Sequence, residues 1–387
     1  MIARSSRALT MVALLYLLPS RARAYGWMIQ HGYTACATCH ADPSGGTGPL
    51  TAYGRAQGEI LLQSNYGKPP SEEPGPATGF VWGVLKTPDW LLAGGAVRLM
   101  PIAMKIGDGA TQTDLILMQA DLSAEIHVGQ FRAAGSIGGV TTDQSPASLS
   151  GNVISREHWV GWSFADDSWL LRAGRINLPF GVRTLDHTVW VRASTRTDLN
   201  ETQQHGVALA YTGKVLRGEV MAIAGNLQVP SEEWEHGYSG YLELMPTSWL
   251  TTGVSSLVTH ASQDIFTLQP TTRQAHGAFA RIAPWWTLVL TGEADFLVNP
   301  SGQTDAHGLA TMVQADLEIF RGVHLMAIGE TQCLAGKGGL SAGGWLGANW
   351  FFASHTDIRI DFMQRSEAFG NQRVTEQAAM VQGHVYF

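Results

Sequence analysis

The sequence predicts an all-β fold: an antiparallel outer-membrane β-barrel of about sixteen strands, preceded by a small α-helical module at the N-terminus. Three features of the sequence predict it. Apolar and polar residues alternate along many long segments, short turns alternate with longer polar loops, and tryptophans gather beside the short turns. A chain of 387 residues is long enough for one large barrel, and its charged fraction of 15% is low for a soluble protein.

The alternation is clearest in four segments, residues 117–127, 290–296, 313–319 and 357–363. Because successive side chains of a strand point to opposite faces, each segment predicts a strand with one apolar and one polar face. A soluble β-sandwich has strands of about five or six residues, whereas a tilted strand needs about ten residues to cross a bilayer. The length of the segments and the alternation of short and long connections are typical of outer-membrane barrels.

Aromatic residues support the same fold. Five tryptophans lie beside the predicted short turns, where one aromatic girdle should run: Trp169, Trp249, Trp285, Trp286 and Trp350. The chain ends in Val385-Tyr386-Phe387, and a terminal aromatic residue on a final amphipathic strand resembles the signal read by the outer-membrane assembly machinery.

The chain divides into four parts. Residues 1–24 are predicted to be an export signal that is cleaved after Ala24, because a basic start and a short apolar run precede the site Ala22-Arg23-Ala24. That apolar run is shorter than the roughly 20 residues of a spanning helix. Residues 25–65 form the N-terminal module, residues 66–81 a Pro-rich linker, and residues 82–387 the porin-like barrel.

The N-terminal module carries the motif Cys36-Ala37-Thr38-Cys39-His40, the attachment pattern of a covalent c-type haem. In this pattern Cys36 and Cys39 bind the porphyrin, and His40 is the proximal ligand of the haem iron. A thioredoxin-like pair would need a βαβ context, and a zinc site would need further ligands nearby. A structural disulfide is an alternative in an oxidising compartment, and Cys333 is predicted to be an unpaired barrel cysteine.

The second axial ligand of such a haem stays open. His31 and Met28 are close in sequence, and either would have to fold back over the opposite face of the haem. The histidines His127, His324 and His384 are predicted to face the lumen and are further candidates. A site without a sixth ligand is also compatible with the sequence.

The charge and histidine patterns suggest which partners or ions the barrel binds. The net charge of −7 argues against a nucleic-acid partner. On the strands whose phase is clear, carboxylates outnumber arginines on the inward face, and acidic pore linings favour cations. Four predicted strands begin with His-Gly, at His205, His236, His276 and His307, so a metal-capturing outer rim is a hypothesis beside the simpler one of a repeated strand start.

The N-terminal stretch also carries a resemblance to a known family. Residues 32–40, with Pro49-Leu50 and Tyr53-Gly54-Arg55 behind them, resemble the fused cytochrome–porins of iron-oxidising bacteria, although Pro and Leu are adjacent here where the family has Pro-x-Leu. More loosely, residues 174–181 resemble a loop of phosphate-selective-type porins. In the first family one haem motif precedes a single-chain barrel in the outer membrane.

The resemblance implies one covalently attached haem c and electron transfer across the outer membrane. Electrons would pass from extracellular Fe(II), or another external redox partner, to a periplasmic c-type cytochrome or other electron carrier. The haem module would lie in the periplasm or inside the barrel lumen, and we expect it in the lumen. Two other functions stay open: a passive porin with a structural or sensory haem plug, and electron export to an extracellular acceptor.

Overall fold

The structure is a computed structural model. It describes residues 27–31, 36–43, 45, 48–67, 73, 75–139, 148–150, 153–184, 186, 188–198, 202–300, 306–336 and 338–387. The predicted export signal, residues 1–24, lies outside the described residues, as do residues 68–72 and 74 of the Pro-rich linker.

The barrel is a closed antiparallel sheet. Its strands are β1 (Leu91–Ile106), β2 (Gln112–Val128), β3 (Phe131–Gly139), β4 (Ser148–Ser150), β5 (Val153–Ile154), β6 (His158–Phe164), β7 (Trp169–Ile176), β8 (Gln204–Thr212), β9 (Leu216–Gly225), β10 (His236–Thr247), β11 (Leu250–Ala261), β12 (Thr271–Trp285), β13 (Leu288–Val298), β14 (His307–Phe320), β15 (Val323–Leu334), β16 (Leu340–Ala353), β17 (Thr356–Phe369) and β18 (Gln372–Tyr386). β1 pairs with both β2 and β18, which closes the sheet. Since β4 and β5 form a small hairpin beside the direct β3–β6 pair, sixteen strands make the barrel, as predicted.

The two ends of the barrel differ in their connections. At the short-turn end, seven turns of two to four residues join the strands in pairs from β2–β3 to β16–β17, and β1 begins and β18 ends there. The long-loop end carries the longer connections, above all residues 140–157 and 177–203. The predicted alternation of short and long connections is found except between β17 and β18, where a turn of two residues replaces the predicted loop at 368–373.

The outer surface of the barrel is apolar. Side chains such as Leu115, Val160 and Leu346 are 53–66% exposed on the outward face, while their strand neighbours point into the lumen. Trp249, Trp285, Trp286 and Trp350 are exposed near the short-turn end, as the girdle prediction expects. Within the described ranges, no helix is long and apolar enough to cross a membrane.

The longest connection is residues 177–203, and its described parts, 177–184, 186, 188–198 and 202–203, fold into the lumen instead of away from the barrel. It contains the short helix α2 (Trp190–Thr195), which ends at Arg196 in the left-handed conformation. The backbone N–H of Trp190 donates to Glu330 Oε2 at 2.7 Å, and that of Val182 donates to Glu293 Oε2 at 3.1 Å. We call this segment the inward loop; it narrows the lumen from the long-loop end.

The N-terminal module is helical, as predicted. Two 3₁₀ turns, Trp27–His31 and Cys36–Thr38, precede the helix α1 (Ala52–Gln57), which continues into one π-helical turn at Gly58–Leu62. Thr51 caps α1, because its hydroxyl accepts a hydrogen bond from the N–H of Gly54 at 3.0 Å.

The module is anchored inside the barrel at the short-turn end. Arg55 Nη1 donates to the carbonyl of Ala93 at 2.5 Å, and His355 Nε2 donates to the carbonyl of Arg55 at 2.9 Å. Further along, the chain reaches the rim of the barrel, where Nε1 of the girdle residue Trp350 donates to Ser64 Oγ at 3.1 Å. The module therefore enters the lumen from the end opposite to the inward loop.

A glycine sets the contact between α1 and the preceding turn. A Cβ on Gly54 would overlap the backbone carbonyl of Cys39, which cannot swing away as a flexible side chain could. We expect Gly54→Ala to destabilise the module by about 1–3 kcal/mol, the usual cost of overpacking. Protease titration of the detergent-solubilised protein measures the effect. Gly329→Ala in β15, where a Cβ meets open space, is the control, and equal protease resistance of the two variants would contradict the prediction.

Candidate functional site

The Cys-x-x-Cys-His segment forms one compact turn. The N–H groups of Cys39 and His40 both donate to the carbonyl of Cys36, at 3.0 and 2.9 Å. Thr51 fixes the turn from outside, since its N–H donates to the carbonyl of Cys39 at 3.0 Å and its hydroxyl to the carbonyl of Thr38 at 3.0 Å. Both cysteines and the imidazole are thus held on a single turn against α1.

This turn lies inside the barrel. Arg217 of β9 donates from Nη1 to Cys36 Sγ at 3.4 Å, and Arg132 of β3 donates from Nη2 to the carbonyl of Ala41 at 3.0 Å. Cys36 and His40 line a lumen cavity that is bounded on another side by residues 181–184 of the inward loop. Cys39 is buried next to the cavity but is not part of its lining.

The chemistry of the turn fits a covalently attached haem. Cys36 and Cys39 are not joined by a disulfide in the structure, and Cys333 is likewise not disulfide-bonded and is exposed on β15. Burial lowers the pKa of His40 to about 4, although the charge of Asp42 raises it, so the imidazole is neutral at ordinary pH. His40 Nδ1 is a buried atom without a hydrogen-bond partner in the described structure. Two thiols and a neutral imidazole beside a cavity are the donor set that a c-type haem needs.

The lumen is less acidic than the sequence suggested. Several inward carboxylates have arginine partners, whereas Asp316 and Asp357 lie against His324 and His384. The buried pairs include Asp121–Arg156, Glu219–Arg172, Glu243–Arg217, Glu243–Arg281, Glu293–Arg192, Glu330–Arg365 and Asp361–Arg359. These pairs form a nearly neutral network, so the predicted preference for cations loses its basis.

The two sequence candidates nearest to the motif lie away from the cavity. Met28 is buried in an apolar cluster with Leu62 and Phe351. His31 Nε2 lies 3.1 Å from Glu318 Oε2. Of the three lumen histidines that the sequence singled out, His384 is the one in the lining of the cavity that His40 borders.

The four His-Gly histidines do not meet at one rim site. His205 Nε2 lies 3.2 Å from Nε2 of His158, His276 bonds Ser256, and His307 stacks on Phe296. His236 stands opposite His260 on the neighbouring strand. In the part of the chain that the structure describes, no group of three or more His, Cys, Asp or Glu side chains is arranged to hold a metal ion. The sequence pattern therefore reflects strand starts more than a shared capture site.

The closed barrel of sixteen strands, with short turns at one end and an inward-folded loop, has the fold of the outer-membrane porins. No protein-family model matches the chain. No curated protein matches it either.

Solved porin structures match the barrel closely in fold and weakly in sequence. The outer membrane channel DcaP of Acinetobacter baumannii superposes with a TM-score of 0.56 at 10% identity, covering 77% of this chain and 97% of that chain. OmpT of Vibrio cholerae, outer-membrane expressed, gives 0.55 at 10% identity, covering 78% and 99%. OprB of Pseudomonas putida at high pH gives 0.57 at 9% identity, covering 77% and 94%. At this identity the likeness establishes the fold alone.

We expect the ionisation of Glu157 to make the packing of the module against the barrel wall depend on pH. It precedes β6, and its carboxyl group packs directly against Gly48 of the module. Burial, together with the charges of Asp42 and Glu125, raises the pKa of Glu157 to about 8, and the charge of Arg172 opposes this rise. Because the folded state holds this proton more tightly than the unfolded state, the stability it contributes is complete below about pH 4.5 and is lost as pH rises through about 8.

We therefore expect the module to resist proteolysis better at pH 5.5 than at pH 8.5. Glu157→Gln should flatten this dependence, because the amide stays neutral and fits the same space. Protease titration at both pH values measures how strongly the resistance of the module depends on pH. Glu232 is exposed in the connection between β9 and β10, so Glu232→Gln controls for the pH dependence of the assay itself. A slope that is the same in Glu157→Gln and the parent protein would contradict the prediction.

Proposed function

We propose that this protein binds one haem c through Cys36, Cys39 and His40 inside an outer-membrane barrel and transfers electrons across that membrane. The observation that carries the proposal is the position of the Cys36–His40 turn within the lumen, bordering a cavity between the module and the inward loop. If the haem lay outside the short-turn end, electrons would have to cross the full height of the barrel to reach it.

The height and orientation of the barrel explain why the position of the Cys36–His40 turn matters for electron transfer. The apolar band of an outer-membrane barrel is about 25 Å tall, and its short turns face the periplasm. The module enters from that side, and the inward loop enters from the other. Both segments occupy part of the lumen and border one cavity, an arrangement that suits the passage of charge better than the passage of bulk solute.

The chain's own residues hold the cofactor and keep it from moving. Cys36 and Cys39 would anchor the porphyrin, His40 would ligate its iron, and the iron supplies one-electron chemistry when the haem is bound. The module is fastened to the barrel wall by Asp42, which lies 3.2 Å from Arg172 Nη1 and accepts a bond from Asn177 Nδ2 at 3.4 Å. A redox group held in this way has a fixed distance to both ends of the barrel.

The direction of electron flow comes from the resemblance to the fused cytochrome–porins. We infer that Fe(II) outside the cell is the donor and a periplasmic c-type cytochrome is the acceptor. Electron export would use the same parts in reverse, and the reduction potential of the haem distinguishes the two directions.

A passive channel is the second candidate. The fold comparisons favour it, because the matched barrels include the outer membrane channel DcaP. In such a protein the module would be a plug, and the barrel would conduct ions at least in part.

A redox titration of the purified protein, followed by stopped-flow mixing of the oxidised form with Fe(II) at neutral pH, tests the proposed donor. We expect reduction of the haem together with low conductance in planar bilayers. Absence of reduction by Fe(II) would exclude the donor. An openly conducting pore would favour the passive channel.

A further inference from the structure

We propose that His384 of β18 is the second axial ligand of the haem, which rests on the proposed function. The inference comes from the wall of the cavity rather than from the module, because His40 and His384 line the same cavity. His384 lies at the other end of the chain from the haem motif, so no local pattern connects the two residues.

The strand register places His384 in the middle of a polar row. It stands directly opposite Arg98 of β1 and Asp357 of β17, and all three residues line the cavity. Because directly paired residues of neighbouring strands share a face, the three side chains point into the lumen together. The row therefore presents an imidazole flanked by an anion and a cation.

The hydrogen bonds of His384 fix which ring nitrogen carries the lone pair. His384 Nδ1 lies 2.9 Å from Asp357 Oδ2, so the carboxylate accepts the Nδ1 proton and the lone pair is on Nε2. Arg98 Nη2 donates to that Nε2 at 3.4 Å, a long hydrogen bond that the haem iron would replace. A carboxylate that accepts the second N–H of a histidine is the usual support of a metal-ligating imidazole, because it fixes the tautomer and the ring orientation.

The ring of His384 is also held in place by a neighbouring aromatic ring. Tyr386, two residues along the same face, stacks on it with ring centroids 5.1 Å apart and an angle of 26° between the planes. A restrained imidazole loses little freedom on binding a metal, which favours ligation.

Two kinds of competitor are present. His324 has the same chemistry, since its Nδ1 lies 2.8 Å from Asp316, but it packs edge-on against Phe351 at 5.9 Å and is not in the cavity lining. Met118 and Met326 do line the cavity and offer thioether sulfur. His324 is therefore the matched control for a carboxylate-bound lumen histidine, and the methionines are the rival ligands.

The test compares His384→Ala with His324→Ala, and with Met118→Leu and Met326→Leu, in the full-length protein. Haem staining after denaturing electrophoresis first establishes covalent attachment in the parent. We expect the parent and the three other variants to give a low-spin ferric spectrum and no carbon monoxide binding when reduced. His384→Ala should become high-spin, bind carbon monoxide, and return to low-spin when imidazole is added.

Each outcome has a defined meaning. A low-spin His384→Ala protein that does not bind carbon monoxide would overturn the assignment, and so would loss of the low-spin spectrum in either methionine variant. If His384→Ala does not fold, His384→Met replaces it, and an unchanged spectrum and reduction potential in that variant would equally overturn the assignment. A parent protein without covalent haem would refute the proposed function itself, which separates that failure from this one.

Discussion

Serine at both Cys36 and Cys39 is expected to abolish covalent haem attachment and to reduce transmembrane electron transfer to the background of protein-free vesicles. The reason is that both thioether bonds need these sulfurs, which a hydroxyl cannot replace. The measurement uses vesicles that contain the barrel and a trapped oxidised acceptor, with a membrane-impermeant reductant added outside. The rate of reduction of the acceptor is then followed optically.

Cys333→Ser is the matched control for the double variant. Cys333 is exposed on β15, away from the cavity, so its replacement should leave both haem content and electron transfer unchanged. Undiminished reduction of the trapped acceptor by the double variant would show that the charge crosses without the haem, and the proposed function would be wrong.

Arg172→Met is expected to release the module from the barrel wall. The Arg172 side chain is fully buried, lies 3.2 Å from Asp42 of the module, and also pairs with Glu219. Removing the guanidinium leaves two buried carboxylates without their cation, and breaking a buried pair in this way costs about 3–5 kcal/mol. We expect a lower thermal midpoint for loss of the haem absorption and faster proteolysis of the module.

Arg373→Met controls for the loss of an arginine as such. Arg373 is exposed at the start of β18 and donates hydrogen bonds to Ser366 Oγ on β17 and to the carbonyl of Leu340 on β16. Its replacement should leave the thermal midpoint unchanged within error. Equal midpoints for Arg172→Met and the parent would show that Arg172 does not anchor the module.

The barrel could be predicted from the sequence because its signal is local. A period of two over ten or more residues determines both the strand and its inward face, as in β2, where Gln119, Asp121 and Glu125 are buried. The compact Cys36–His40 turn was predictable for the same reason, since both cysteines and the histidine lie within five consecutive residues.

The electrostatics of the lumen could not be predicted, because the partners are far apart in sequence. Arg172 and Glu219 are 47 residues apart, and Arg192 and Glu293 are 101 residues apart. Arg192 sits on the inward loop, whose path into the lumen has no periodic signature. The sequence identified His384 as one of three lumen-facing candidates for the second ligand, but it could not show which of them borders the cavity, because that depends on β18 closing against β1.

The two segments inside the barrel enter from opposite ends and are held by different contacts. Arg321 Nε of the β14–β15 turn donates to the carbonyl of Leu61 at 3.2 Å on the module side, whereas Arg365 Nη2 of β17 donates to the carbonyl of Thr188 at 2.7 Å on the inward loop. Losing one set of contacts therefore leaves the other obstruction in place. If one of the two segments were displaced from the lumen, the other would still limit the leakage of solutes through the barrel.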